Sequence, residues 1–396
     1  MERVLDGILV LDFARYIAGP WCSTIMAEMG AEVIRIETPG GAEDRQQGPF
    51  APNGQNFRFL MMSRNKRGIT LDLNKPRGKE LFRELVKKAD VVVENFSPPV
   101  KKKLGFSYED LSEINPNIIL TTVSAFGKDG PYAHRLGFDH IAQAESGSMS
   151  FTGFPDSPHT RSQVAYVDMS TALHAALATV LAILHRTKTG KGQQVEMALL
   201  DTAVSYAAFP GTMAEYEILD QVRPKLGNTG YYSFSDTFYA KDGMVIMAAL
   251  SDPLWNRMVD LIGHPEFKDD PRFADDEARY RNRDIVGPLV QEWIGQRSRE
   301  DVFEQMGKAR IPCGRVNTIP EAFKDPHIHA RQLFTKLEVP GVGPVSHPRV
   351  AIRMSKTPGR IERPAPTVGQ HNDEVYSSLL GLSAREIEGL SSEGVI

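Results

Sequence analysis

Short apolar runs separated by amphipathic stretches set the pattern of residues 1–220. Ile8-Leu9-Val10-Leu11-Asp12-Phe13 has the length and composition of a strand. Residues 20–29 predict a helix opened by Pro20, a residue suited to a first helical turn. Residues 31–37 predict a second strand, and residues 77–88 an amphipathic helix. Val91-Val92-Val93 predicts a buried strand ending at Glu94-Asn95-Phe96, followed by a helix at 108–114 and a strand at 118–124. Strands alternating with helices in this way point to a doubly wound, Rossmann-like parallel α/β sheet. Such sheets take ligands in the crevice beyond the carboxyl ends of their strands. Residues 12–20, 94–98 and 124–131 fall at those ends.

Further along, Asp168 precedes an Ala-, Leu- and Val-rich stretch that predicts a helix from Met169 to about His185. It stops at Thr187-Lys188-Thr189-Gly190-Lys191-Gly192, a cationic, glycine-rich terminator. A strand at 194–200 follows. The pattern changes near residue 221, to strand pairs at 237–239 and 244–249 and then helices to about residue 309. The expected division is a large α/β domain at 1–220, a smaller α+β domain at 221–330, and a C-terminal segment at 331–396. The segment is rich in Pro and Gly, returns to the large domain and carries a last helix near 384–389.

Composition narrows the class. With 396 residues, 41% hydrophobic and 24% charged, the chain has material for a sizeable core. A formal charge of -4 gives no electrostatic reason to expect nucleic acid or an anionic membrane as partner. Two cysteines, Cys22 and Cys313, make neither a disulfide framework nor a paired metal site and fit a reducing compartment. The N-terminus lacks a signal-peptide core, and the longest apolar stretch, 172–184, is interrupted by His174 and Thr179 and reads as too short to span a bilayer. A soluble, cytoplasmic protein is expected.

The candidate chemistry starts with exclusions. The first βα turn, Arg15-Tyr16-Ile17-Ala18-Gly19-Pro20, has one glycine where a dinucleotide fingerprint needs three, although Glu37 stands where a ribose-binding acid would. Neither a phosphate loop, a Gly-x-Ser-x-Gly elbow nor metal spacing among the ten histidines occurs. Arg64, Lys66, Arg67 and Lys101, Lys102, Lys103 form basic clusters. These read either as a solvated face or as partners of a phosphorylated ligand. Asp168 follows Gln163-Val164-Ala165-Tyr166-Val167 and likewise has two readings. An aspartate before a helix is a standard N-cap. The same placement would orient a carboxylate and keep it ionised, as a nucleophile requires.

Motifs in order along nearly the whole chain resemble the class III coenzyme A transferases. They are Leu5-Asp6-Gly7, Leu11-Asp12-Phe13, Ala18-Gly19-Pro20, Gly30-Ala31-Glu32-Val33-Ile34-Arg35-Ile36-Glu37 and Asn65-Lys66-Arg67-Gly68-Ile69-Thr70-Leu71-Asp72-Leu73. Val93-Glu94-Asn95-Phe96, Phe126-Gly127-Lys128-Asp129-Gly130-Pro131, Thr189-Gly190-Lys191-Gly192-Gln193, Ile311-Pro312-Cys313-Gly314 and Gly369-Gln370-His371 complete the set. The resemblance implies an interlocked-ring homodimer and places the family's nucleophilic aspartate on Asp168. It implies acyl-CoA:carboxylate CoA transfer through a mixed anhydride and an aspartyl-CoA thioester, with CoA as substrate and no permanently bound cofactor. CoA contacts carry over by position to Ile17, Ala18, Leu71, Asp72, Leu73, Asn95, Phe96, Lys103, Leu136, Gly137, Phe138 and Asp139. Lys103 stands where relatives often carry arginine, and Thr38 replaces an arginine for which Arg35 is a candidate substitute. The family's glycine loop maps onto Gly227-Asn228-Thr229-Gly230. Tyr16, Phe138, Tyr231 and Tyr232 are candidates to line the pocket, and nearby arginines to hold a second carboxylate.

Two other functions stay open at this point. An α-methylacyl-CoA racemase would need a histidine where the chain reads Gly137-Phe138-Asp139, with His140 one residue away. A non-catalytic CoA-binding subunit would bind without turnover.

Overall fold

The apolar runs of the chain's first half form β1 (Leu9–Asp12), β2 (Glu32–Glu37), β3 (Arg67–Thr70), β4 (Val91–Glu94), β5 (Ile119–Ser124) and β6 (Gln194–Ala198). All pairings among them are parallel, in the order β3-β2-β1-β4-β5-β6. The strand order reverses between β1 and β4, the place where an open parallel sheet leaves a crevice.

Alternate side chains feed two cores. Val10, Val33, Val91 and Val93 enter one, with helices Ala18–Glu28 and Tyr166–Thr189. Leu9, Leu11, Ile34, Ile36 and Val92 enter the other, with helices Pro76–Lys88, Asn372–Leu380 and Ala384–Ser392. Burial on both faces is why these strands read as continuous apolar runs rather than as alternating ones.

The computed structural model describes residues 3–396, which form two compact units. The larger takes the chain as far as Ser148, then Ser162–Ile218 and Arg331–Ile396. The smaller takes Met149–Arg161 and Leu219–Ala330. Its antiparallel sheet joins β7 (Ser235–Ala240), β8 (Gly243–Ala248) and β9 (Cys313–Arg315). A core around Trp255, Met258, Phe273, Val286 and Val302 backs that sheet. In the larger unit, β10 (Phe334–Val339) and β11 (Gly343–Pro348) form a separate antiparallel pair.

Two helices begin or end elsewhere than the sequence predicts. The first helix starts at Ala18, so Pro20 lies inside its first turn rather than opening it. Position 19 admits only glycine in this turn, because a Cβ there would lie 2.3 Å from Ala14 Cβ. The long helix starts at Tyr166 rather than Met169 and runs 24 residues to Thr189, where Gly190 takes a left-handed φ of 69°. It is therefore long and apolar enough, by length and composition, to cross a membrane, contrary to the expectation from residues 172–184. One side of it, including Ala172, Ala175, Ala176 and Thr179, is buried in the core.

Candidate active site

The carboxyl ends of β1 and β4 are tied together by one side chain. Asn95 Oδ1 accepts the Arg15 backbone N–H at 2.8 Å, and Asn95 Nδ2 donates to the Arg15 carbonyl at 2.9 Å. Tyr16 sits next in the turn at φ 70°, a left-handed conformation uncommon outside glycine. Its N–H donates to Asp44 Oδ2 at 3.1 Å, and its ring meets Phe138 edge-on, with centroids 5.5 Å apart. Phe138 immediately precedes the helix Asp139–Glu145, so this contact brings the β1 turn beside Asp139.

Asp139 is 8% exposed and holds the start of the long helix. Its Oδ2 accepts two successive backbone N–H groups, from Val167 at 2.9 Å and from Asp168 at 3.0 Å. Its Oδ1 accepts from Gln143 Nε2, and Gln143 Oε1 in turn accepts the Ser162 N–H at 2.9 Å. The cap of this helix end thus comes from Asp139, 29 residues upstream of Asp168.

Asp168 therefore occupies the helix's first turn and does not cap it, correcting the reading of a helix that begins after it. Among the described residues, no donor bonds to its half-buried carboxylate. Burial raises its pKa, the Asp139 charge raises it further, and Arg58 draws it back in part. The outcome is about 7, against an ordinary 3.8. The expectation of a carboxylate kept ionised by the helix end is overturned, because the N–H groups that would do this are spent on Asp139.

Several predicted ligand-binding charges are committed elsewhere. Arg35, fully buried, pairs with Asp44 at 2.8 Å and donates to the Ala14 carbonyl, so it cannot stand in for an arginine at Thr38. Glu37 is held by Arg35 and Arg45 and is closed to a ribose. Arg64 pairs with Glu28, Lys66 with Asp12, Arg67 with Glu374, and Lys101 with Glu94. Lys103 stays exposed, with Asn74 Oδ1 at 3.1 Å.

The other positions fall along the same edge of the sheet. Ile17 and Ala18 begin the first helix, with Ile17 half-buried. Leu71 and Leu73 are core residues just past β3, so their side chains are closed to a ligand. The backbone N–H of Leu71 donates to Glu37 and that of Asp72 to Val395. Phe96 packs on Phe13 and Phe106. Leu136, at 79% exposure, and Phe138, at 50%, face outward with Gly137 between them. His140 is exposed, its ring parallel to Phe138 with centroids 6.2 Å apart. The charged groups acting on Asp168 are Asp139 and Arg58.

In the smaller unit, Gly227 N–H donates to the Gly153 carbonyl, and Thr229 Oγ1 bonds Asp236. Tyr231, Tyr232 and Tyr280 form an aromatic cluster there. Among the described residues, no group of three or more His, Cys, Asp or Glu side chains could hold a metal ion.

Sequence reasoning missed Arg58 and the capping role of Asp139. Arg58 lies on the helix Phe57–Met62, which carried no motif. Nothing in the sequence links Asp139 to residues 167 and 168.

The larger unit is a doubly wound parallel α/β fold that carries a half-buried carboxylate, Asp168, in the first turn of its long helix. Residues 5–372 match CoA-transferase family III, and the chain belongs to that family. It is 34% identical to the succinyl-CoA–D-citramalate CoA-transferase of Chloroflexus aurantiacus, across 100% of this chain and 98% of that one. It is 36% identical to the succinate–glutarate CoA-transferase of Agrobacterium fabrum, across 95% of each chain. Among solved structures, a CAIB/BAIF family protein from Brucella suis superposes with a TM-score of 0.84 at 34% identity, covering 96% of this chain and 100% of that one.

Proposed function

We propose that the chain transfers CoA from an acyl-CoA to a free carboxylic acid, with Asp168 as the nucleophile. The observation that carries this reading is the Asp168 carboxylate itself: half-buried, accepting no hydrogen bond among the described residues and raised in pKa to about 7. A structural aspartate acquires partners; one left without them retains its basicity for attack.

The ionised Asp168 attacks the thioester carbonyl of the donor, giving a mixed anhydride and the CoA thiolate. The thiolate attacks the aspartyl carbonyl, which releases the donor acid and leaves an aspartyl-CoA thioester. The acceptor carboxylate attacks that thioester, forming a second anhydride and again freeing the thiolate. Attack of the thiolate on the acyl carbonyl yields the new acyl-CoA and regenerates Asp168. One activated acyl bond exists at every stage, so no nucleotide hydrolysis is needed.

CoA would run along the carboxyl edge, past Ile17, Ala18, Asn95 and Phe96 and the exposed Leu136-Gly137-Phe138, with Lys103 as a phosphate partner. At Leu71, Asp72 and Leu73, contact would involve the polypeptide rather than the two buried leucine side chains. Arg58 supports a dicarboxylic acid as one substrate. It is exposed, its side chain has only Gln47 Oε1 as a polar partner among the described residues, and its charge reaches Asp168. The acids named for the two relatives are likewise dicarboxylic.

A second copy of the chain would cover the outward face of the long helix. Leu173, Leu177, Leu181 and Leu184 there are 46–56% exposed and spaced three or four residues apart, opposite its core side. This stripe supports the interlocked homodimer expected from the family. A cytoplasmic location fits the two free cysteines.

Asp168→Ala tests the assignment. Transfer measured by mass spectrometry over a panel of acyl-CoA donors and acids should fall by about 10³-fold or more, with folding and CoA binding retained. A variant that keeps its activity per folded molecule would remove Asp168 from the reaction.

A further inference from the structure

We infer that Asp139 is a positioning residue that drives Asp168 toward its covalent intermediates, by occupying the helix's N–H groups and setting a second carboxylate beside it. The inference rests on Asp168 being the nucleophile.

The geometry gives Asp139 two linked effects. By accepting the N–H groups of Val167 and Asp168, it holds the first turn of the helix, from which the Asp168 side chain projects. It also removes from Asp168 the donors that a carboxylate at a helix start would otherwise recruit. The Asp139 oxygen lies 3.0 Å from the backbone nitrogen of Asp168, so its charge acts on the neighbouring carboxylate at short range in a largely buried setting.

Asp139 is itself held. Gln143, 1% exposed, donates to Asp139 Oδ1 and accepts from Ser162 N–H, so the amide can face only one way. With its orientation fixed, Asp139 cannot swing away from Asp168 to relieve the repulsion. The charged groups acting on Asp168 are Asp139, which raises its pKa, and Arg58 on the helix Phe57–Met62, which lowers it.

The consequence follows from charge. Free Asp168 is an anion beside an anion; the anhydride and the aspartyl-CoA thioester are neutral at that side chain. Repulsion present in the resting enzyme is absent once Asp168 is acylated. Part of the thioester's bond energy is therefore retained by relief of this strain on the enzyme, which lifts the population of the covalent states. The same free energy raises the pKa of Asp168 and favours its acylation, because protonation and acylation both neutralise the carboxylate. Each tenfold change in the acid constant of Asp168 corresponds to about a tenfold change in the equilibrium between acylated and free enzyme.

Asp139→Asn in the full-length enzyme separates these effects from simple packing. The acid limb of kcat/KM, expected near pH 7 in the parent, should move down by about one on the pH scale. At about pH 9, where Asp168 is ionised in both proteins, the equilibrium ratio of aspartyl-CoA to free enzyme should fall by the same factor, about tenfold. Rapid quenching and intact-protein mass spectrometry, with fixed concentrations of donor and its acid, read this ratio.

The amide introduced by Asp139→Asn would turn an N–H toward Gln143 Nε2. A second variant, Asp139→Asn with Gln143→Glu, restores that hydrogen bond and the acceptor for Ser162 N–H, and moves the charge one helical turn away. Circular dichroism identifies which variant folds, and the two readouts are taken on it. A folded variant with an unmoved limb and unchanged occupancy, while the parent still forms its Asp168 adduct, would overturn the inference. So would loss of fold in both variants, which would assign Asp139 to structure alone. Absence of any Asp168 adduct in the parent would instead overturn the nucleophile assignment.

Discussion

Two aspartates sit near the same edge of the sheet in opposite circumstances. Asp12, at the end of β1, is fully buried. Its carboxylate accepts from Lys66 Nζ and Ser23 Oγ, each at 2.8 Å, and from Ala14 N–H at 3.0 Å. Burial alone would raise its pKa, yet the charges of Lys66 and Arg35 and these bonds bring it below the ordinary value. Asp168 is less buried, accepts no hydrogen bond among the described residues, feels the charge of Asp139 and is raised to about 7. Burial alone does not set the acidity of either aspartate; the donors and charges around it do. Asp12 is a finished structural contact, whereas Asp168, the proposed nucleophile, keeps a carboxylate without a hydrogen-bond donor among the described residues.

The largest effect should come from dismantling the satisfied partner set. Lys66→Met strands the Asp12 charge in the core, and removing one member of a buried pair costs about 3–5 kcal/mol. Urea unfolding should show that loss, with most of the activity retained in whatever fraction stays folded. A loss below about 1 kcal/mol would mean that Asp12 is not held as described.

The reverse is expected at Asp168. Because its folded pKa lies above its unfolded one, its favourable contribution is complete below about pH 4 and is lost as pH rises through about 7. Asp168→Asn removes a charge that the fold disfavours. The variant should therefore melt at a higher temperature than the parent above about pH 7 and show no gain near pH 4. A melting temperature lowered at every pH would return Asp168 to the role of a structural cap.

The smallest effect concerns the cation beside this site. Arg58→Gln should raise KM for a dicarboxylic substrate by about tenfold, as loss of one charge-assisted contact implies, and leave a monocarboxylic acid nearly unaffected. It should also move the acid limb of kcat/KM upward, since Arg58 now lowers the Asp168 pKa. Equal losses for both classes of acid would remove Arg58 from substrate selection.

Much of the framework could be read from the chain. The valine and isoleucine runs of β1, β2, β4 and β5 announced strands because both faces of the sheet are buried, and Gly190 marked the end of the long helix. What escaped depended on distant contacts. In β3, charged Arg67 and Gly68 open the strand, so apolar periodicity had little to act on. The sequence places Tyr166 and Val167 ahead of the helix, with Asp168 as its cap, whereas the group that caps it is Asp139, far upstream. Arg35 and Lys66 looked available to a phosphate until their partners, Asp44 and Asp12, appeared in three dimensions. Asp168 was legible as a candidate; its poise was not, since that arises from Asp139 and Arg58 together.

The central claim is tested most directly by peptide mass spectrometry of enzyme quenched with hydroxylamine during turnover on an acyl-CoA donor. The account predicts a hydroxamate on Asp168, formed only when donor is present and missing in Asp168→Ala. Turnover that proceeds with Asp168 unmodified, or with the label on another carboxylate, would contradict it.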